Sequence, residues 1–134
     1  MTTDNHFKII VPSYNNEKWL HACLKSVQLQ TYDNYQCIII DDCSTDSSSE
    51  IIEREIDKNS KFVFIKNDER KLALRNIYEA IEHSSPDNED VIITLDGDDW
   101  FATKNVLEIL NNKYKETDSW MTYGSYMEYP SRNR

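Results

Sequence analysis

Short apolar runs alternate along this chain with segments of helical periodicity. Apolar runs of four or five residues predict β-strands, and they lie at 7–11, 37–40, 62–65 and 91–95, with a weaker run at 120–123. Most of these runs are continuous in Ile, Val and Phe instead of alternating with polar residues, which is typical of strands buried on both faces. The pattern therefore predicts a sheet that is covered by helices on both faces.

Four segments place their apolar residues three or four positions apart, which predicts one buried face on each of four helices. The four stripes are Trp19, Leu20, Cys23, Leu24 and Val27; then Ile51 and Ile52; then Ala73, Ile77, Ala80 and Ile81; then Val106, Leu107, Leu110 and Tyr114. Asn15 or Asn16 is the expected N-cap of the first helix. Ser47, with Glu50 three residues later, predicts a capping box at the second helix.

Strands and helices that alternate in this way predict βαβ units and a mostly parallel sheet. The chain has 134 residues, enough for one core, and its two glycines and three prolines form no linker. We therefore expect a single α/β domain.

Polar residues follow three of the four main strands, at the edge where parallel sheets bind ligands. They are the segments 12–16, 41–46 and 96–99. The last of these, Asp-Gly-Asp-Asp, places three carboxylates in four positions, and such like charges repel unless a cation offsets them. Carboxylate oxygens suit Mg²⁺ or Mn²⁺. The alternative is a polar turn, because Asp and Gly are common turn residues.

Charge and cysteine content narrow the function classes. A net charge of −9 argues against nucleic acid as a partner and against anionic membrane surfaces. Cys23, Cys37 and Cys43 are an odd number without zinc-type spacing; the first two are expected to be buried thiols, which fits a reduced cytoplasmic location. No signal peptide is evident, and no apolar run approaches the roughly 20 residues of a transmembrane segment.

Five linked motifs carry a family resemblance. They are Val-Pro-Ser-Tyr-Asn-Asn at 11–16, Gln-Thr-Tyr at 30–32, Asp-Asp-Cys-Ser-Thr-Asp at 41–46, Leu-Arg-Asn at 74–76 and Asp-Gly-Asp-Asp-Trp at 96–100. In order and spacing they resemble the GT-A glycosyltransferases of family 2. The resemblance implies a Rossmann-like GT-A nucleotide-diphospho-sugar transferase fold in truncated form. Residues 1–134 would then be one donor-binding domain, the N-terminal part of a longer catalytic domain.

The sequence departs from the family pattern at two places. Cys43 stands where the family most often has glycine after the paired aspartates. Arg70 and Lys71 stand where a glycine commonly precedes the Ala-Arg-Asn-like segment.

The resemblance also implies a set of nucleotide-sugar-binding residues. These are Pro12, Tyr14, Asp41, Asp42, Arg75 and Asp96. Tyr14 would stack on the base, a contact worth about 1–3 kcal/mol. Asp42 would accept a hydrogen bond from the base, with Asp41 nearby, and Arg75 would contact the base or the phosphates. On the residues alone, Tyr14 could equally be a surface aromatic, Asp42 part of a turn, and Arg75 a solvated surface cation.

The same resemblance assigns unequal roles to the acidic segment. Asp98 would bind Mn²⁺ or Mg²⁺ directly, while Asp96 would contact the ribose or a metal-bound water. Asp99 would support the site from outside the ligand set. Asp46 is instead predicted to be structural, as a cap of the second helix.

The implied reaction is inverting, metal-dependent transfer of a sugar from a nucleotide-diphosphate donor, expected to be a UDP-sugar, to the hydroxyl of a glycan, protein or lipid. The general base is expected outside this chain, and Glu128 is a conceivable acid without a placed acceptor. A non-catalytic nucleotide-sugar-binding module, lacking the acceptor half, is the main alternative. A metal-dependent phosphohydrolase is a third; one large class of these needs an Asp-x-Asp at the first strand, where this chain has Pro12, Ser13 and Tyr14.

Overall fold

Four parallel strands and four helices alternate along the chain in the computed structural model, which describes residues 4–125 and 127. The strands are β1 (Phe7–Ser13), β2 (Tyr35–Asp41), β3 (Phe62–Lys66) and β4 (Val91–Thr94). The helices are α1 (Leu20–Gln28), α2 (Ser48–Glu55), α3 (Ala73–Ser84) and α4 (Val106–Glu116). Among these described helices, none combines the length and apolar character needed to cross a bilayer.

Both faces of the sheet are buried, as the continuous apolar runs predict. Ile9 of β1 and Ile39 of β2 belong to a core cluster that includes side chains from α1, α2 and α4. Ile10 and Ile38, one position along each strand, pack in a second cluster with Ala80 of α3. Successive residues of a strand point to opposite faces, so neither face can be polar. The predicted α/β architecture with helices on both faces is confirmed.

The strand order is β3-β2-β1-β4, so the chain reverses its direction across the sheet after β3. Right-handed crossovers place the helix of the returning connection on the opposite face, which is where α3 lies. The reversal leaves β1 between β2 and β4 and makes the carboxyl end of β1 a topological switch point, the usual place for a ligand crevice.

The predicted strand at 120–123 and the predicted N-cap of the first helix are both wrong. The apolar run at 120–123 forms no strand: Trp120 and Tyr123 are almost completely exposed, and none of the described strands pairs with them. Helix α1 has Trp19 at its N-cap and no side-chain cap. The side chain of Asn15 bonds to Thr45, and the side chain of Asn16 donates to Ser13 Oγ.

Helix α2 begins beside Ser47 as predicted, but without the capping box. The Ser47 side chain makes no cap hydrogen bond. Asp46 takes that place: its Oδ1 accepts the N–H of Ser48 at 2.8 Å, and its Oδ2 accepts the N–H of Glu17 at 3.2 Å. Burial raises the pKa of Asp46, yet these hydrogen bonds outweigh it and lower the pKa overall. The carboxylate therefore fastens the helix to the loop after β1, in agreement with its predicted structural role.

Replacing Asp46 with alanine should lower the free energy of unfolding by ~1 kcal/mol, because two backbone donors lose their acceptor. Ser47→Ala is the matched control, since its hydroxyl caps nothing, and it should change stability by less than half as much. Urea unfolding of the two variants and the parent measures both effects. Equal losses in the two variants would show that the cap belongs to Ser47.

Candidate functional site

The loops that follow β1 and β2 are joined at the carboxyl edge of the sheet. The backbone N–H of Asn15 donates to Ser44 Oγ at 2.9 Å, and the N–H of Thr45 donates to Asn15 Oδ1 at 2.8 Å. Asn16 extends the junction, because its N–H donates to Ser48 Oγ at 3.0 Å. These bonds hold the loop that carries Tyr14 against the start of α2.

The acidic segment after β4 forms a compact cluster. One carboxylate oxygen from each of Asp96, Asp98 and Asp99 lies within 4.8 Å of the others, and all three residues are exposed. No described residue donates a hydrogen bond to these side chains, so their oxygens are available to a ligand. Burial and the neighbouring charges of Asp98 and Asp99 raise the pKa of Asp96, and burial and Asp98 raise that of Asp99. Oxygen donors under such repulsion fit Mg²⁺ or Mn²⁺.

Gly97 allows the acidic segment to lie directly against β1. Its N–H donates to the carbonyl of Pro12 at 3.0 Å. A Cβ at Gly97 would lie 2.8 Å from Ser13 Oγ and 2.8 Å from Asn16 Nδ2, closer than real Cβ contacts allow. Only glycine therefore fits between the carboxylates. Pro12, a predicted nucleotide-binding residue, is buried and here holds the acidic segment through its carbonyl.

Asp42 is buried and organises the loop between β3 and α3. Its Oδ1 accepts bonds from Asn67 Nδ2 at 3.0 Å and from the N–H of Lys71 at 2.7 Å. Its Oδ2 accepts bonds from Arg70 Nε at 3.0 Å and from the N–H of Leu72 at 2.9 Å. Burial raises the pKa of Asp42, but the hydrogen bonds reverse this and hold it well below its ordinary range. Four donors fill the roughly four lone-pair positions of a carboxylate.

Sequence reasoning missed Arg70, although the departure from the family pattern at this position was the available signal. The centre of its guanidinium lies 3.4 Å from the centroid of the Tyr14 ring, while its Nε is bonded to Asp42. Tyr14 keeps 37% of its surface exposed. Together Tyr14 and Arg70 form a flat aromatic and cationic surface beside the acidic segment, suited to stacking on a base.

Two other amide side chains, Asn67 and Asn76, extend the Asp42 network into the protein. Asn67 Nδ2 bonds to Asn76 Oδ1 at 2.8 Å as well as to Asp42, and both asparagines are buried. The sequence left Asn76 without a role and did not single out Asn67. The relay connects the first turn of α3 to the end of β2, so the helix start and the carboxylate hold one another in place.

The remaining predicted residues do not join this arrangement in the same way. Asp41 is fully buried, and its carboxylate accepts the Ser44 hydroxyl at 2.5 Å and the Ser44 N–H at 3.2 Å. Arg75 is mostly exposed and forms an ion pair with Glu79 at 2.9 Å. Glu128 lies outside the described residues. The structure thus brings together Tyr14, Asp42 and the acidic segment, and leaves Arg75 on the surface of α3.

The two departures from the family pattern coincide with unusual backbone conformations. Cys43 has a φ of 62°, and Leu72, directly after Arg70 and Lys71, has a φ of 70°. Residues with a side chain rarely adopt this left-handed region, which glycine enters freely. At Leu72 the hydrogen bond to Asp42 offsets part of the strain, which is of order 1–3 kcal/mol for such a residue.

Acidic and aromatic residues at the switch point of a parallel α/β sheet lie where domains of this class bind their ligands. The sequence model of the family described as Glycosyl transferase family 2 matches residues 8–134. The chain belongs to this family.

A relative by sequence agrees with this membership, and solved structures agree with the fold. Glycosyltransferase GlyA of Streptococcus pneumoniae serotype 4 is 30% identical over 130 residues, which is 96% of this chain and 18% of GlyA. S. aureus TarS 1-349 in complex with UDP superposes with a TM-score of 0.72 at 23% identity, over 83% of this chain and 32% of TarS. The mannosyltransferase PcManGT from Pyrobaculum calidifontis, in complex with GDP-Man and Mn²⁺, gives 0.71 at 19% identity, over 85% and 32%.

The predicted GT-A fold and family are therefore confirmed. The chain spans less than one third of each of these three proteins.

Asp42→Asn should destabilise the protein at pH 7 by about 1–3 kcal/mol, because buried donors lose a charged acceptor. The pKa of Asp42 is lowered on folding, so its contribution is complete above the ordinary value of about 4 and is lost as the pH falls. Urea unfolding between pH 7 and pH 2 should show the two proteins converging in acid. Asp57→Asn, at an exposed position, is the control and should follow the parent at every pH. A difference that did not change with pH would contradict the role of the charge.

Proposed function

We propose that the carboxyl edge of this sheet binds a nucleotide-diphosphate sugar together with a divalent cation. The observation that carries the proposal is the adjacency of two unlike surfaces at the end of β1. Gly97, inside the acidic segment, donates its N–H to the carbonyl of Pro12. Tyr14, whose ring contacts the Arg70 guanidinium, lies two residues after Pro12 along the chain. A diphosphate needs a counter-charge and a base needs a stacking surface, so a nucleotide could span both.

Asp98 is the proposed direct ligand of Mn²⁺ or Mg²⁺, and Asp96 is the proposed contact for the ribose or for the cation. Asp99 supports them as the third carboxylate of the cluster. A bound cation supplies charge neutralisation of the diphosphate and stabilises the leaving nucleotide. The presence of Mn²⁺ with GDP-Man in the structurally similar PcManGT supports this proposal.

We propose that Tyr14 stacks on the base. We also propose that Arg70, and not Arg75, is the arginine that contacts the base or the phosphates. The four donors already on Asp42 favour a role in which this carboxylate holds Arg70, and a direct bond to the base would have to displace one of them. Asp41 holds the adjacent loop. The proposed donor is a UDP-sugar, supported by the UDP complex of TarS, although PcManGT carries GDP-Man.

The proposed reaction is inverting transfer of the sugar to a hydroxyl of a glycan, protein or lipid. Residues 1–134 would supply the donor-binding domain of the catalytic unit. A non-catalytic nucleotide-sugar-binding module is the second candidate, because no described carboxylate or histidine is assigned to an acceptor. The three free cysteines, two of them buried, support a proposed cytoplasmic location.

UDP should bind to this chain with Mn²⁺ present and should bind at least tenfold more weakly in EDTA, because the diphosphate then meets unshielded carboxylates. Titration calorimetry measures both affinities. Asp98→Ala should remove the Mn²⁺-dependent part of the affinity, whereas Asp57→Ala, an exposed control, should retain it. Equal affinity with and without Mn²⁺ would refute the cation in this proposal.

The two arginines give a separate test of the base site. Arg70→Ala should weaken UDP binding about tenfold, because a charged hydrogen-bond donor is worth roughly 1.5–3 kcal/mol. Arg75→Ala removes a side chain of the same type, but from the surface of α3, and should change the UDP affinity less than twofold. Titrations in saturating Mn²⁺ compare them. A larger loss in Arg75→Ala would restore the role that the sequence alone implied.

A further inference from the structure

One face of α1 lies along the segment that follows β4. Trp19, Cys23, Ser26 and Gln30 are spaced by four, three and four residues, so they lie above one another on the helix and its ends. Each contacts the chain between β4 and α4. The stripe therefore runs beside the acidic segment and its continuation.

The first contacts of this stripe lie on either side of the carboxylates. Cys23 Sγ lies 3.7 Å from the carbonyl oxygen of Asp96. Ser26 Oγ accepts the N–H of Phe101 at 3.1 Å and donates to the carbonyl of Cys23 at 2.7 Å. Trp19 stacks on Trp100, with ring centroids 6.0 Å apart. The acidic segment is thus held against α1 at its beginning and immediately after its end.

Gln30 continues the same attachment toward α4. It is buried, and its Nε2 donates to the carbonyl of Thr103 at 2.7 Å. Its Oε1 accepts the N–H of Leu107 at 3.0 Å, which satisfies a backbone donor in the first turn of α4. Thr31 adds a backbone bond to the carbonyl of Lys104 at 2.9 Å. The motif at 30–32 therefore anchors the chain that leaves the acidic segment.

These anchors matter because the three carboxylates repel one another, although the N–H of Asp99 donates to the carbonyl of Asp96 at 2.9 Å and closes a turn between them. Their like charges favour separation, and no described residue donates a hydrogen bond to them. On the other side, β1 accepts two backbone hydrogen bonds. The N–H of Leu95, just before Asp96, donates to the carbonyl of Ile10, and the N–H of Gly97, just after Asp96, donates to the carbonyl of Pro12. After the carboxylates, the N–H of Phe101 donates to Ser26 Oγ and fixes the chain as it leaves the turn.

We propose that Ser26 and Gln30 are positioning residues for the divalent cation. They touch no ligand themselves; they keep the backbone after Asp99 in place, so that the three carboxylates stay close together at the proposed cation site. The inference rests on the proposed cation site and adds that its affinity is set partly from α1. A site assembled in advance binds more tightly because less order is lost on binding.

The test is Mn²⁺ titration of the full chain and of Ser26→Ala. The variant should bind Mn²⁺ about tenfold more weakly, the lower end of the range for residues that orient metal ligands. Ser26→Thr keeps a hydroxyl and should recover most of the affinity. Ser84→Ala is the matched control, because Ser84 Oγ bonds to the carbonyl of Ile81 in α3 in the same way but touches no site residue. It should bind Mn²⁺ like the parent.

A second measurement separates positioning from general stability. Amide hydrogen exchange of residues 97–103, in the metal-free proteins, should be faster in Ser26→Ala than in the parent and unchanged in Ser84→Ala. Unchanged exchange in Ser26→Ala, or unchanged Mn²⁺ affinity, would overturn the inference while leaving the cation site in place. A parent chain that bound no Mn²⁺ would instead refute the proposed cation site, and the inference would fail with it.

Discussion

The pairing of β1 on both of its edges is the constraint on which the rest of the molecule depends. Because β2 and β4 lie on either side of β1, the loops after β1, β2 and β4 meet at one edge of the sheet. There they lie within hydrogen-bonding distance of the last residues of β1. The Pro12 carbonyl holds Gly97, and the Ser13 carbonyl accepts the N–H of Asp42. The acidic segment and the Asp42 network are therefore attached to two adjacent residues of one strand, Pro12 and Ser13.

The site is built from two kinds of carboxylate with opposite tasks. Asp42 is buried and surrounded by donors, so it stays ionised and acts as a fastening for Arg70 and the start of α3. Asp96, Asp98 and Asp99 are exposed and surrounded by one another, so they are held by backbone contacts and are open to a cation. Sequence proximity to a strand end does not distinguish these tasks, because burial and available donors decide between them.

The layout of the fold was predictable because burial on both faces leaves a continuous apolar signature, as in Ile9 and Ile10 of β1. The run at 120–123 shows the limit: apolar residues form a strand only where a partner and a core exist. The predicted N-cap of α1 was wrong because the side chains of Asn15 and Asn16 bond to Thr45 and Ser13 instead. Arg70 was missed because its place on Tyr14 depends on the path of the loop between β3 and α3; the departure from the family pattern marks the position but not the contact.

The left-handed backbones of Cys43 and Leu72 have a consequence for the unfolded chain. Glycine at these positions would leave both loops free to sample many conformations, whereas a side chain removes most of them before folding begins. The conformational entropy of these two loops in the unfolded chain is thus reduced in advance, at the cost of local strain in the native state.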